Sequence, residues 1–255
     1  MIIQFASDLH LELSDNSRYL KEHPLPVVGD VLLLAGDTIY LEQTHLMKHP
    51  FWQWAADHFE QVIATPGNHE FYAFYDLASL PDSYCWELFP NVRICSNTVE
   101  RIGNAEIIAS TLWAHIDIKN AYNTERYVSD FRRIMCGDNL LTSADFNREH
   151  ERCLHFVKQA VGNSTAKTKI VLTHHVPTGL CTAPEFSGSN INGAFSVELG
   201  NYIADSDIDY WIYGHSHRNI DAQIGKTRIL SNQLGYIAHN EHLSNGFIPG
   251  RVIEI

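Results

Sequence analysis

Histidine, aspartate and asparagine recur together at five places in this 255-residue sequence, each time directly after a short apolar stretch. The five groups are Asp8 with His10, Asp37, Asn68 with His69, His174 with His175, and His215 with His217. Side chains of these types bind metal ions or act as general acids and bases. Because no thiolate belongs to the set, it suits ions such as Mn, Fe, Zn or Mg rather than a structural zinc held by cysteine.

The stretches that precede these groups are typical of β-strands. Residues 30–35, Asp-Val-Leu-Leu-Leu-Ala, predict a strand that is buried on both faces. Residues 2–6, 61–65, 169–173 and 209–213 predict four more strands. Since the carboxyl ends of strands in α/β sheets gather at one edge, where ligands bind, we expect the five groups to converge there.

A single group of this kind has a simpler interpretation. Asp8 and His10 are two residues apart, so in an extended chain their side chains point the same way, but alone they could form a polar loop after a strand. Five groups together offer too many ligands for one ion. Two ions about 3.5 to 4 Å apart that share a carboxylate would use them all. Such a pair lowers the pKa of a bridging water and clamps a phosphoryl group during in-line attack.

The groups also form an ordered pattern that resembles a known family. Asp8-x-His10, Gly36-Asp37, Gly67-Asn68-His69-Glu70, His174 and Gly214-His215-x-His217 resemble the five ordered blocks of the calcineurin-like metallophosphoesterase superfamily. The likeness is to small bacterial-type members with a single domain. It implies an α/β sandwich of two mixed β-sheets flanked by helices, with a dinuclear metal site at the carboxyl ends of the strands. The sequence departs from the common pattern at Thr38–Tyr40, where many members carry a further acid or Asn, and at Glu70, where many carry Asp.

The resemblance implies a role for each matching residue. It implies three ligands for a first ion, Asp8, His10 and His217, and three for a second, Asn68, His174 and His215. Asp37 would bridge the two ions, and His69 would protonate the leaving oxygen or stabilise the transition state. Two alternatives stay open: His175 could replace His174 as the ligand, and His69 could only orient the site. The ions themselves could be Mn, Fe, Zn, Mg or Ni.

These roles imply a phosphohydrolase that cleaves phosphomonoesters or phosphodiesters of a small substrate. Two other functions remain as alternatives, a catalytically silent scaffold with the same fold and a nuclease. The chain carries 30 acidic against 18 basic residues, a net charge of −12, which disfavours broad contact with nucleic acid. Arg132 could pair with a substrate phosphate or be a solvated surface charge, and Glu12 and Glu70 could support ligating histidines or form surface ion pairs.

Other features bear on organisation and location. No linker is apparent, so residues 1–255 are expected to form a single domain. The longest apolar run, Val31–Ala35, is far too short to span a membrane. Five scattered cysteines predict free thiols. Together these features predict a cytoplasmic protein.

Three further predictions concern the remaining elements. Apolar positions from Leu46 to Phe59 predict a helix that begins near Pro50, and those from Phe146 to Val161 predict a helix from about Ser143, capped by Thr142 or Ser143 and ended by Gly162. Hairpins are expected at 98–110 and 220–231, and a helix at 195–204. Residues 11–29 are expected to be a loop that could include a helical turn, residues 177–193 a loop, and residues 113–141 a polar surface excursion near the site.

Overall fold

Two six-stranded β-sheets form the centre of the computed structural model, which describes residues 1–41 and 47–255. The first sheet contains β1 (Ile2–Ala6), β2 (Val31–Ala35), β3 (Gln61–Thr65), β4 (Tyr84–Phe89), β5 (Val92–Ser96) and β14 (Val252–Glu254). Their order is β14-β1-β2-β3-β5-β4. The four inner strands are parallel, and the two edge strands are antiparallel to their neighbours.

The second sheet repeats this plan. It contains β6 (Thr98–Ile102), β7 (Ala105–Ser110), β10 (Thr168–Thr173), β11 (Tyr210–Tyr213), β12 (Ala222–Ile224) and β13 (Thr227–Ser231), in the order β12-β13-β11-β10-β7-β6. Again the inner four are parallel and the edges antiparallel. A separate two-stranded hairpin is formed by β8 (Met135–Cys136) and β9 (Asn139–Leu140).

The apolar character of β2 follows from its place between two layers. Val31 and Leu33 pack into the core between the sheets, together with Ile107 and Ile170 of the second sheet. The alternate residue Leu34 faces the opposite side, where it packs beneath the helices. A strand buried on both faces cannot alternate between apolar and polar residues, which explains the continuous run in the sequence.

Six described α-helices surround the sheets. They are α1 (Ser14–Glu22), α2 (Pro50–His58), α3 (Ala121–Tyr127), α4 (Asp130–Arg133), α5 (Ser143–Asn163) and α6 (Gly200–Asp205). Leu20 of α1 and Trp52 of α2 cover the outer face of the first sheet. Val157 of α5 and Ile203 of α6 cover the outer face of the second. The expected fold class, two mixed β-sheets flanked by helices, is thus confirmed.

Most of the expected elements are present. The helix from Pro50, the long helix from Ser143 and both hairpins are observed. The long helix continues one residue beyond Gly162, to Asn163. Leu46, part of the pattern that predicted the helix from Pro50, lies outside the described residues.

One loop prediction and one helix prediction differ from the structure, because polar contacts and backbone pairing, rather than an apolar pattern, decide these two segments. Residues 14–22, where a loop with at most a helical turn was expected, form the nine-residue helix α1, which buries Asn16 as well as Leu20. The amide of Asn16 donates to the carbonyl oxygens of Leu9 at 3.0 Å and Gly235 at 2.8 Å. The predicted helix at 195–204 is confined to 200–205, since Val197 N instead donates to Val176 O at 3.0 Å.

The region 113–141 is not a polar excursion. Trp113, Phe131 and Ile134 are almost fully buried and form a core cluster with Phe146 of α5. The apolar residues of this region are too irregularly spaced to reveal a helix or a strand, but they close the core beside the edge where the candidate site lies. The short α4 within this region carries Asp130 into the site.

The expectation of five free thiols is wrong for two of them. Cys85 and Cys95 face each other across β4 and β5 and form a disulfide with an S–S distance of 2.07 Å. Cys136, Cys153 and Cys181 are free. Among the described residues, no helix combines the length and the apolarity needed to cross a membrane.

The capping box of α5 generates a prediction about stability. Thr142 Oγ1 accepts a hydrogen bond from Asp145 N at 3.2 Å, and the Asp145 carboxylate accepts one from Thr142 N at 3.0 Å. Thr142→Ala should lower the free energy of unfolding by about 1 kcal/mol, because one N–H of the first turn loses its partner. Ser143→Ala, the next residue, is the matched control. Equal denaturation midpoints for the two variants would contradict the capping role.

Candidate metal centre

The candidate site is formed by turns in which the backbone takes an uncommon conformation. Asp8, His10, Asp37, His215 and His217 all have positive φ, with values of 54°, 47°, 51°, 77° and 49°. Left-handed backbone is uncommon for residues other than glycine, and it clusters at functional sites where the surroundings hold it in place. The turns after β1, β2 and β11 are therefore held by contacts with one another rather than by local preference.

Hydrogen bonds join these turns across the two sheets. His215 N donates to Asp8 Oδ1 at 3.0 Å, which ties the turn after β11 to the turn after β1. His10 N donates to Asp37 O at 2.9 Å, which ties the turn after β1 to the turn after β2. Gly214 N donates to His174 O at 2.9 Å within the second sheet. The ends of strands from both layers thus form one connected framework.

Within this framework a first cluster contains Asp8, His10 and His217, all buried. His217 Nε2 lies 3.3 Å from Asp8 Oδ1 and 3.0 Å from His10 Nε2. One carboxylate oxygen and two ring nitrogens therefore point at a common space. This is the mixed oxygen and nitrogen donor set that the sequence predicted for this edge.

A second cluster contains Asn68, His174 and His215. His174 Nε2 lies 3.0 Å from Asn68 Oδ1 and 3.1 Å from His215 Nδ1. Asp37 stands between the clusters: its Oδ1 is 3.3 Å from His174 Nε2, and its Oδ2 is 3.8 Å from His10 Nε2. The Asp37 carboxylate is thus the one group that faces both clusters, among the residues that the structure describes.

The four histidines of the clusters share an arrangement of hydrogen bonds. In each ring, the nitrogen that faces away from the cluster is hydrogen-bonded to an oxygen atom. The partners are Glu12 for His10 (3.1 Å), Glu241 for His217 (2.7 Å), Ala35 O for His174 (2.9 Å) and Ala194 O for His215 (3.2 Å). These partners assign the N–H to the outer nitrogen of each neutral ring and leave a lone pair on the inner one. Facing lone pairs 3.0 to 3.1 Å apart, as between His10 and His217, repel unless a cation lies between them.

The electrostatics of the two clusters also favour positive charge. Burial lowers the pKa of His217, but its hydrogen bonds with Asp8 and Glu241 outweigh burial and raise the pKa to about 10. Burial likewise lowers the pKa of His174, yet the charge of Asp37 raises it to about 9. In the absence of an ion each cluster therefore attracts a proton, which is the competitor that a metal ion must displace.

His69 lies beside the clusters with both ring nitrogens engaged. Its Nδ1 is 3.0 Å from Glu12 Oε1, the oxygen that also accepts from His10, and its Nε2 is 3.2 Å from Tyr236 Oη. Nε2 is also 4.0 Å from Asp37 Oδ2. Burial lowers the pKa of His69, but the charge of Asp37 and the hydrogen bond with Glu12 raise it above its usual value. The raised pKa favours the protonated form of His69.

Comparison with known proteins decides the family. The family model of calcineurin-like phosphoesterases matches residues 1–219 of the chain. The chain belongs to this family. It is 30% identical to an uncharacterized protein of Acanthamoeba polyphaga mimivirus, over 281 aligned positions that cover 100% of the chain and 96% of the relative.

A solved structure shows the same fold. The phosphopantetheinyl hydrolase of Mycobacterium tuberculosis superposes on this phosphoesterase with a TM-score of 0.67 and 16% sequence identity, covering 98% of this chain and 95% of the other. At this low identity the likeness shows the fold. The chain is accordingly a phosphoesterase by family, and what it hydrolyses must be argued from its own residues.

In this phosphoesterase the residues that the resemblance implied as metal ligands and acid all lie in the two clusters or at their edge, whereas the alternative ligand His175 does not. His175 is fully buried, and its ring packs 4.3 Å from that of His215, centroid to centroid. Its Nδ1 lies 3.4 Å from Thr111 O, and it belongs to neither cluster. Burial, with the neighbouring histidines His215 and His174, holds the pKa of His175 well below its usual value, so it packs as a neutral ring.

The two glutamates considered from the sequence have different positions. Glu12 supports ligand-type histidines, as one alternative proposed, since it accepts from both His10 and His69. Glu70 instead joins two turns: its carboxylate accepts from Thr38 N at 2.7 Å and Gly67 N at 2.7 Å. Burial and the charge of Asp37 raise the pKa of Glu70 to about 8.

Asp130 is a site residue to which sequence reasoning assigned no role. Its Oδ1 accepts from Asn68 Nδ2 at 2.8 Å and from Tyr72 Oη at 2.7 Å. If the Asn68 amide were rotated by half a turn, its oxygen rather than its NH2 group would face the Asp130 carboxylate. The hydrogen bond with Asp130 therefore fixes Asn68 Oδ1 toward His174. No motif in the sequence marks Asp130. Its position in α4 brings it to the site. Nearby Arg132 is exposed, and its Nη1 donates to Arg126 O at 2.5 Å.

Glycine at position 67 generates a prediction about metal binding. A Cβ there would overlap Asp37 Oδ1 and lie 2.7 Å from His174 Cε1, so a methyl group must displace two members of the clusters. We expect Gly67→Ala to lose at least half of the metal bound after incubation with Mn²⁺, as measured by elemental analysis of the purified protein.

The matched control for this prediction is Gly162→Ala, in α5. A Cβ at Gly162 meets no atom within 4 Å, so the metal content should stay that of the wild type. Alanine is also favoured over glycine inside a helix, so this variant should not unfold more easily. A Gly67→Ala protein with its full metal content would show that the clusters do not require this close approach.

Proposed function

We propose that this protein hydrolyses phosphomonoesters or phosphodiesters with the help of two divalent metal ions. The observation that carries the proposal is the position of Asp37 between two clusters of inward-facing ring nitrogens and oxygens. Asp8, His10 and His217 would hold the first ion, and Asn68, His174 and His215 the second. Asp37 would be shared by both.

The donor set fits such ions. Imidazole nitrogens together with carboxylate and amide oxygens suit Mn, Fe, Zn, Mg or Ni, and the hydrogen bonds to the outer nitrogens are those that metal-ligating histidines require. Of the two candidates at the end of β10, His174 is favoured because its Nε2 faces Asn68 and Asp37. When bound, a pair of divalent ions activates water for in-line attack and neutralises the phosphoryl oxygens.

The residues of the chain supply the rest of the chemistry. In the proposal His69 donates a proton from Nε2 to the leaving oxygen, while Glu12 holds its Nδ1 and keeps the ring turned toward Asp37. The hydroxyl of Tyr236 contacts the same Nε2 and marks the position that a substrate oxygen would take. Asn68, a neutral ligand, limits the negative charge of the site, which favours an anionic substrate.

The role of His69 can be tested by His69→Ala with a panel of substrates. The panel contains a phosphomonoester, bis(p-nitrophenyl) phosphate, cyclic nucleotides and nucleotides, each assayed with the metal-reconstituted protein. We expect turnover of the best substrate to fall about a hundredfold or more, because the leaving oxygen loses its proton donor, while metal content persists. Asp37→Ala should lose both metal and turnover.

The control for this test is His155→Ala, an exposed histidine of α5 that should leave turnover and metal content unchanged. Full activity of His69→Ala would contradict the general acid role. Absence of hydrolysis by the wild type across all metals, with less than one ion per chain, would favour the silent scaffold. Cleavage of single-stranded DNA that disappears in Asp37→Ala would favour the nuclease.

A further inference from the structure

The cleft over the clusters continues into a second cavity. The cleft has a volume of about 290 Å³, and its floor includes Asn68 and His215. The second cavity has a volume of about 140 Å³. Phe186, Ile191 and Phe195 line both, as does Ser216, so the two spaces are neighbours that share a wall. A molecule bound over the clusters therefore has an adjacent space into which it can extend.

The shared wall is fixed to the candidate metal centre itself. The ring of Phe195 stacks on that of His215, with centroids 4.9 Å apart and planes inclined by 25°. The preceding residue, Ala194, accepts a hydrogen bond from His215 Nε2 at 3.2 Å through its carbonyl oxygen. The second cavity thus begins beside a cluster residue, and its position relative to the cluster is set by direct contacts.

The other side of the wall is held by an ion pair. Arg218 Nε donates to Glu185 Oε1 at 2.8 Å, and the guanidinium lies 5.8 Å from the centre of the Phe186 ring. Arg218 directly follows the cluster residue His217, so this contact ties residues 184–186 to the mouth of the cleft. Phe186, although 42% exposed, is therefore kept against the cleft rather than in open solvent.

The chemistry of the second cavity differs from that of the cleft. Its lining is apolar at Val176 and Ala183 and carries neutral polar groups at Thr182, Asn192 and Ser196. No ionisable side chain is among its lining residues in the part of the chain that the structure describes. A charged group entering it would lose water without gaining a partner, whereas an apolar group with a hydroxyl or an amide would not.

We propose that this second cavity is a substrate subsite that receives an uncharged, largely apolar organic substituent of the phosphoester. The inference rests on the proposed function, because the phosphoryl group must lie over the two clusters for its substituent to reach Phe186 and Ile191. It names a substrate class: phosphoesters of neutral alcohols with an apolar body, in preference to those that carry a second charge at the far end.

The test uses alkylphosphonates, which resemble phosphoesters but lack the ester bond to be cleaved, so binding is measured without turnover. Ethylphosphonate and hexylphosphonate are titrated into the metal-loaded protein by calorimetry. Each buried methylene contributes about fourfold in affinity. Hexylphosphonate has four more methylenes than ethylphosphonate, and these would be partly buried. It should therefore bind at least about tenfold more tightly than ethylphosphonate, with a more negative heat-capacity change. A hexyl-length phosphonate that ends in a carboxylate should lose this advantage.

Three variants locate the effect. Ala183→Leu fills the second cavity, and Ile191→Ala removes part of the shared wall. Both should therefore reduce the ratio of the affinity for hexylphosphonate to that for ethylphosphonate toward one. Leu180→Ala is the matched control, since Leu180 is an exposed apolar residue of the same loop that lines neither cavity. It should keep the wild-type ratio.

The outcomes separate this inference from the proposed function. Equal affinity for the two phosphonates, no binding of either, or a ratio that survives both Ala183→Leu and Ile191→Ala would overturn the subsite. A preserved hexyl preference in a protein that hydrolyses no phosphoester would support the subsite and count against the proposed function. Hydrolysis of phosphoesters, together with equal affinities for hexylphosphonate and ethylphosphonate, would support the proposed function and overturn the subsite.

Discussion

Buried negative charge beside inward-facing lone pairs is the constraint on which the rest of the structure depends. Asp8 and Asp37 are at most 2% exposed, and the ring nitrogens of His10, His174 and His217 lie within 4 Å of them. Carboxylates removed from water are costly unless they are paired. Protons can satisfy this need in part, but two divalent ions would satisfy both carboxylates and the facing nitrogens together.

The fold serves this constraint by bringing two sheets to one edge. The first sheet supplies Asp8, His10, Asp37 and Asn68 from turns after three parallel strands, and the second supplies His174, His215 and His217 from two more. Neither sheet alone holds a complete cluster, since His217 meets His10 and His174 meets Asn68 across the layers. Close approach of the turns leaves no room for a side chain at Gly214, where a Cβ would lie 2.7 Å from Ala35 O and from Asp8 Oδ2. The strained φ angles are the local cost of this junction.

Much of this could be predicted from the sequence, because the strands that carry the site are buried on both faces. Continuous apolar runs such as Val31–Ala35, followed at once by ligand-type residues, revealed both the strands and the edge where they meet. Helix α5 could equally be predicted, since its apolar residues repeat with helical spacing and a capping residue, Thr142, precedes it.

What could not be predicted depends on contacts between distant residues that leave no local pattern. Helix α1 is held by hydrogen bonds of Asn16 as well as by the burial of Leu20. Asp130 reaches Asn68 because the irregular region around Trp113 and Phe131 packs into the core. The supporting roles of Tyr236 and Glu241 arise in the same way, from a segment that follows the last strand of the second sheet. The cavity behind Phe195 likewise has no signature in a loop rich in Gly, Ser and Asn.

The most direct test of the central claim is the anomalous diffraction of crystals grown with Mn²⁺. The proposed dinuclear centre predicts two anomalous peaks about 3.5 to 4 Å apart, with the Asp37 carboxylate between them. One peak should be bounded by Asp8, His10 and His217, and the other by Asn68, His174 and His215. A single peak, or two peaks that do not share Asp37, would contradict it.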